Sequence, residues 1–137
     1  MNFDEILAYL QSHGWPVENL SENTARSRFA GTSRTFTFFV HSDGNYLTLL
    51  CVPYVRLPAD DKAARKLMDR LLHLNHGLNM AKFSVDDDGD VVLSVDYPLA
   101  DLQETEVRDA LDVLAYFADK HWEELSELSV QSNVFEP

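Results

Sequence analysis

The chain has 137 residues, 45% of them apolar, with 5 Gly and 5 Pro, which supports one globular domain over residues 1–137 and excludes a disordered chain. Its net charge of −12 disfavours direct contact with nucleic-acid phosphates, and no apolar run approaches the roughly 18 residues of a membrane span. A single cysteine excludes an internal disulfide and the acidic start Met-Asn-Phe-Asp-Glu lacks the basic region of a signal peptide, so the expected setting is the reducing cytoplasm.

Asn2 and Glu5 have the spacing of a capping box, and Phe3, Ile6, Leu7 and Leu10 form one apolar stripe behind it. A first helix is therefore expected over about residues 3–13, closed by Gly14. Trp15 to Ala30 is polar and reads as one irregular or bent strand, with Val17, Leu20 and Phe29 as its burial candidates. Arg34–His41 and Asn45–Val52 then flank Asp43-Gly44, the dipeptide of a tight hairpin. Phe36, Phe38 and Val40 share one face of that hairpin. Thr35, Thr37 and Phe39 share the other, which makes Phe39 a candidate exposed aromatic. Pro53 and Pro58 are expected to bracket the exit from the sheet.

Asp60 caps a second predicted helix that runs to about His76 and stops at Gly77. Its apolar residues make two rows, Leu67-Leu71-Leu74 and Ala64-Met68-Leu72. An arc that wide suits a helix touching both its own sheet and a second subunit, and Leu67, Leu71 and Leu74 are the expected self-association residues. Met80 to Pro98 repeats the hairpin pattern around Gly89, with Ala81, Phe83 and Val85 before the turn and Val91, Leu93, Val95 and Tyr97 after it. A third helix is expected over about 103–127, dry along Val107, Leu111, Leu114, Ala118, His121 and Leu125. Residues 128–137 lack periodicity and are expected to fray. The fold class is α+β: helix, two or three strands, helix, hairpin, helix, as an antiparallel sheet with helices packed on it.

Charge is unevenly placed. Residues 1–84 hold nine Lys/Arg against eight Asp/Glu, while residues 85–137 hold two against fifteen, a net −13. Such a field favours a basic partner and keeps the protein soluble.

Reactive groups are scattered rather than assembled. Asp86-Asp-Asp-Gly-Asp90 fails the calcium-loop register, because Gly89 falls at position 4 and Tyr97 at position 12, so it reads as an acidic turn. His73 and His76 lack further ligands nearby and suit a helix C-terminus. Cys51 lies between Leu50 and Val52 with no base beside it in sequence, the pattern of a buried structural thiol. Arg26, Arg28 and Arg34 neighbour Phe29 and Phe36. They read as solvated strand-edge cations, or as partners for the acidic third helix of a second subunit. No phosphate loop or nucleophile elbow is present, so no catalytic, cofactor-binding or metal-binding residue is expected.

The order of elements, the segment Leu74-Asn-His-Gly-Leu-Asn, and then Lys82-Phe-Ser-Val-Asp86, Gly89-Asp-Val-Val-Leu93 and Leu99 resemble the YbjN family of bacterial proteins. That family is similar in fold to type III secretion chaperones. The resemblance spans the chain as an order of elements and is sharpest over residues 67–125. It implies a cofactor-free homodimer that holds another protein, often as an extended segment laid over its surface.

The residues and the resemblance together lead to the expectation of a non-enzymatic, chaperone- or adaptor-like protein-binding domain acting as a homodimer. Client contact is expected at Phe39, Tyr46 and the first helix, through Phe3 and Leu7. The acidic half points to a basic client, such as a nucleic-acid-binding protein. The alternative is a small-molecule-binding sensor or regulatory domain.

Overall fold

Two side chains answer each other's backbone at the start of the chain. Asn2 Oδ1 accepts from the Glu5 amide at 2.8 Å and Glu5 Oε1 accepts from the Asn2 amide at 3.0 Å, completing the capping box of α1 (Phe3–Ser12). The computed structural model describes the backbone of residues 1–134 and the side chains of residues 1–130. Beyond α1 come β1 (Glu18–Asn19), β2 (Thr24–Ala30), β3 (Thr35–Ser42), β4 (Tyr46–Arg56), α2 (Asp61–Gly77), β5 (Ala81–Val85), β6 (Asp90–Pro98) and α3 (Glu104–Val134).

The six strands form one sheet in the order β1-β2-β3-β4-β6-β5, every neighbouring pair antiparallel. Both Asp-Gly dipeptides do what a tight turn requires. Gly44 and Gly89 have φ of +92° and +80°, open only at high cost to a residue with a Cβ. The aspartates before them hold the turns: Asp43 Oδ1 accepts from the Asn45 and Tyr46 amides, and Asp86 Oδ1 from those of Asp88 and Asp90.

Alternation decides which face is dry. Val40, Leu49, Val95 and Ala81 line up across four strands, with Cys51, Leu93 and Phe83 in the adjacent row. All but the half-buried Ala81 are fully covered, and the cover is helical: Ile6 and Leu10 from α1, Leu67 and Leu71 from α2, and Val107, Leu111, Leu114, Ala118 and Leu125 from α3. At ~25 cal/mol per Å² of apolar surface removed from water, this one-sided core is the main stabilising element.

Three polar contacts fix the helices to the sheet. The Tyr54 hydroxyl donates to the Ala118 carbonyl at 2.6 Å inside the core. Asp119 on α3 accepts from the Thr32 amide at 2.7 Å and the Thr32 hydroxyl at 2.5 Å, pinning the β2–β3 turn. Gly31 lets that turn approach so closely, since a Cβ there would stand 2.6 Å from Asp119 Oδ1 and 2.7 Å from Phe36. Asn75, at the end of α2, meets edge strand β5: its Oδ1 accepts from the Phe83 amide at 2.8 Å and its Nδ2 donates to the Phe83 carbonyl at 2.9 Å.

The expected elements are present, with corrections. Residues 15–30 form two strands rather than one bent strand. Two-residue β1 pairs only with Ala25 and Arg26, and Leu20, 46% exposed, sits in the loop instead of the core. Pro53 does not mark the sheet exit. It lies inside β4, where the register with β6 slips between Cys51 and Val55, and such an irregularity removes the need for its missing N–H. Residues 128–134, expected to lack regular structure, continue α3, with Leu128 packed on the core; residues 135–137 lie outside the described part.

Candidate protein-binding surface

The sheet has a second face, and none of the described helices covers it. Strand alternation turns Arg26 and Arg28 of β2, Thr37, Phe39 and His41 of β3, Thr48, Leu50 and Val52 of β4, Val92, Ser94 and Asp96 of β6 and Lys82 of β5 away from the helices. Phe39 stands between Arg26 and Leu50 in register, half-buried by its neighbours. Along one side of this face runs a polar chain: the Thr48 hydroxyl donates to Asp96 at 2.7 Å and Lys82 Nζ lies 3.4 Å from the same carboxylate. The apolar centre, half-buried Phe39, Leu50 and Val52 beside the buried Val92, is thus framed by charge on both sides.

Of the four residues expected to touch a client, two come together here. Phe39 and Tyr46 share this open face, and Tyr46 is 50% exposed opposite Pro98. Phe3 and Leu7 belong to the helical layer on the other side, with Phe3 packed against the core and Leu7 buried in it. The row expected to carry self-association also points inward. Leu67 and Leu71 are buried in the protomer's own core and Leu74 packs against it, because α2 must cover β5 with one of its two rows. The other row runs from half-buried Ala64 and Met68 to Leu72, which is 70% exposed.

The arginine cluster is divided. Arg26 pairs with Glu18 on β1, and Arg28 is exposed at the strand edge. Arg34 stacks its guanidinium over Trp122 at 4.3 Å and over Phe36 at 5.2 Å, so it meets α3 of its own chain. That stack joins a continuous aromatic contact through Phe36, Tyr54 and Trp122 to Phe83.

The groups with reactive potential are engaged or isolated. Cys51 is buried, and burial pushes its thiol up to about 12, far from a usable thiolate. His73 donates through Nδ1 to the Asp69 carbonyl at 2.8 Å, within its own helix. Asp86 is bound up in its own turn, and Asp90 lies 3.4 Å from Arg56. Among the described residues no three of His, Cys, Asp or Glu gather into a metal-holding group. No described helix is long and apolar enough to cross a membrane.

Sequence reasoning missed Asn75 and Asp119, whose roles depend on a strand edge and a turn far away in sequence. It also missed a cleft where Tyr9, His13 and Trp15 face Glu104, Arg108 and Asp112, residues from two ends of the chain.

The architecture recurs in solved structures at low identity. One chain of the heterodimeric ExoU–SpcU complex, from the type III secretion system of Pseudomonas aeruginosa, superposes with a TM-score of 0.60 at 16% identity, over 89% of this chain and 95% of that one. A chain of the HopA1–SchA chaperone–effector complex gives 0.59 at 16% identity, over 89% and 93%. YbjN from E. coli gives 0.57 at 14% identity, over 98% and 92%. Identity this low establishes a common fold. No curated protein matches the sequence. The model of one family, YbjN, described as "Putative bacterial sensory transduction regulator", matches residues 2–127, and the chain belongs to that family.

Proposed function

We propose that this protein binds another polypeptide in a chaperone- or adaptor-like role and does so as a homodimer. The observation that carries the proposal is the bare sheet face, on which Phe39, Leu50 and Val52 stand without a helix above them. A six-stranded sheet covered on one side only offers an extended polypeptide apolar contacts in the middle and charged ones at the rim. The HopA1–SchA and ExoU–SpcU complexes, in which this fold is found with a second protein, support the reading.

Because Leu67 and Leu71 are core residues and Leu74 packs on the core, self-association is assigned to the other row of α2, with Leu72 exposed and Ala64 and Met68 half-buried beside it. Sedimentation of the wild type should give the dimer mass and Leu72→Glu the monomer mass, with unchanged circular dichroism. A Leu72→Glu dimer would remove α2 from the interface. Phe39→Glu should abolish retention of the polypeptide that the wild type holds in affinity capture with mass spectrometry. Undiminished retention would rule out the open face. The client is assigned a basic character, complementary to the net −13 of residues 85–137.

A further inference from the structure

The C-terminal end of α1 and the first turns of α3 enclose a cleft of about 410 Å³. The α1 wall is aromatic. Gly14 ends the helix, the Trp15 amide turns back to the Leu10 carbonyl at 3.0 Å, and the indole packs edge-on against Phe38. Tyr9 stacks on His13 with ring centres 4.1 Å apart. Tyr9 is 9% exposed and lines the cleft, where its hydroxyl oxygen is open to solvent rather than sealed in the core. His13 engages Nδ1 with the Tyr9 carbonyl at 2.9 Å, which leaves Nε2 for the cleft.

The α3 wall is charged. Glu104, Arg108 and Asp112 are spaced four apart and form one row on the helix. Arg108 lies between the two acids but reaches sideways to Asp109, at 3.3 Å. Glu104, in the first turn, is partly compensated by the helix dipole; Asp112, two turns further in, has neither that nor an ion pair among the described residues.

We propose that this cleft is a receptor for a guanidinium group, presented by an arginine side chain of the bound polypeptide; the assignment rests on the reading that the protein holds a basic client. A flat cation can lie against the aromatic wall at Trp15 while its N–H fork meets Asp112, with Glu104, about two turns away on α3, adding negative charge to the cleft. The protein already makes such a contact once, where Arg34 lies over Trp122 at 4.3 Å. Two other large cavities among the described residues lack an unanswered anion over an aromatic surface. Beside the β2–β3 turn, Asp119 is bound to Thr32, and Lys120 covers the Tyr116 ring at 5.4 Å. Beside the β5–β6 turn, Asp90 faces Arg56.

The test uses the full chain and N-acetyl-arginine amide, followed by the two indole N–H resonances, with Trp15→Phe assigning them. Trp15 should shift saturably at millimolar probe, as a single side chain would bind, while Trp122 stays in place. Glu104→Gln with Asp112→Asn should weaken binding at least about fivefold with unchanged circular dichroism, and N-acetyl-lysine amide should bind at least about fivefold more weakly than the arginine probe. Absence of a saturable Trp15 shift, or an equal shift in the double variant, overturns the assignment. Free arginine binding about tenfold more tightly than the capped amide would also overturn it, by giving the cleft to a free metabolite. The two readings separate cleanly. A probe that binds while Phe39 variant and wild type alike retain no polypeptide leaves the receptor standing and removes the proposed function. A polypeptide retained by a chain that ignores the probe does the reverse.

Discussion

Gly31 shows how much a single hydrogen atom in place of a methyl group controls. A Cβ there would collide with Asp119 Oδ1 at 2.6 Å and with the Phe36 ring at 2.7 Å, so Gly31→Ala must push α3 or the aromatic cluster aside. Chemical denaturation should show a loss of about 1–3 kcal/mol. Charge acts at the same scale. Asp119 is held below the usual carboxylate range by the Thr32 hydroxyl and amide. His121 is held below its ordinary value of 6.5, first by burial and then by Lys120, and stacks on Phe117. Both groups have a folded value below the unfolded one, so each contributes stability that is present at neutral pH and lost on acidification. The His121 part starts to go below about pH 6.5, as the unfolded chain takes up a proton that the folded one refuses; the Asp119 part follows in the carboxylate range. Melting curves from pH 7.5 to 5 should therefore fall, and His121→Phe should flatten that limb. An unchanged slope would mean that His121 is not the responsible group.

Among the elements, β5 is an edge strand that the fold keeps closed. Asn75 answers both the amide and the carbonyl of Phe83, as a neighbouring strand would, so the middle of β5 offers no free ladder to another chain. Asn75→Leu should cost about 1–3 kcal/mol and speed hydrogen exchange at Phe83. Unaltered exchange there would show that the plug is dispensable. Elements were legible in the sequence wherever local chemistry decides the backbone. The two Asp-Gly turns, the Asn2–Glu5 box and the Asp60 cap fix their neighbourhoods by themselves. Legibility failed where distant contacts decide. β1 exists because two residues happen to reach β2, Pro53 is tolerated because β4 slips against β6, and α3 continues past residue 127 because Leu128 finds the core.

For the molecule as a whole, the charge imbalance read from the sequence is divided between α3, at a net −6, and the β5–β6 turn, where Asp86, Asp87, Asp88 and Asp90 add −4. Association with a basic client should slow by about tenfold or more as salt rises from about 10 mM to about 1 M, measured by stopped-flow, because steering is screened. A salt-independent rate would exclude a basic client. The candidate surface was only half legible. Alternation put Phe39 on the open face, but whether Leu67 or Leu72 faces outward depends on which row α2 lays on β5, and periodicity is the same for both.

The longest of the three helices covering this sheet, α3, follows every strand in the chain. While a ribosome makes residues 1–103, Phe36, Leu49 and Leu93 have α1 and α2 for cover but nothing from α3, so part of the helical face of the nascent sheet is left bare. A chain halted before Glu104 should accordingly be digested quickly by protease and precipitate, whereas the full chain resists; a protease-resistant fragment 1–103 would contradict this. A protein proposed to shelter other polypeptides would itself need shelter during its own synthesis.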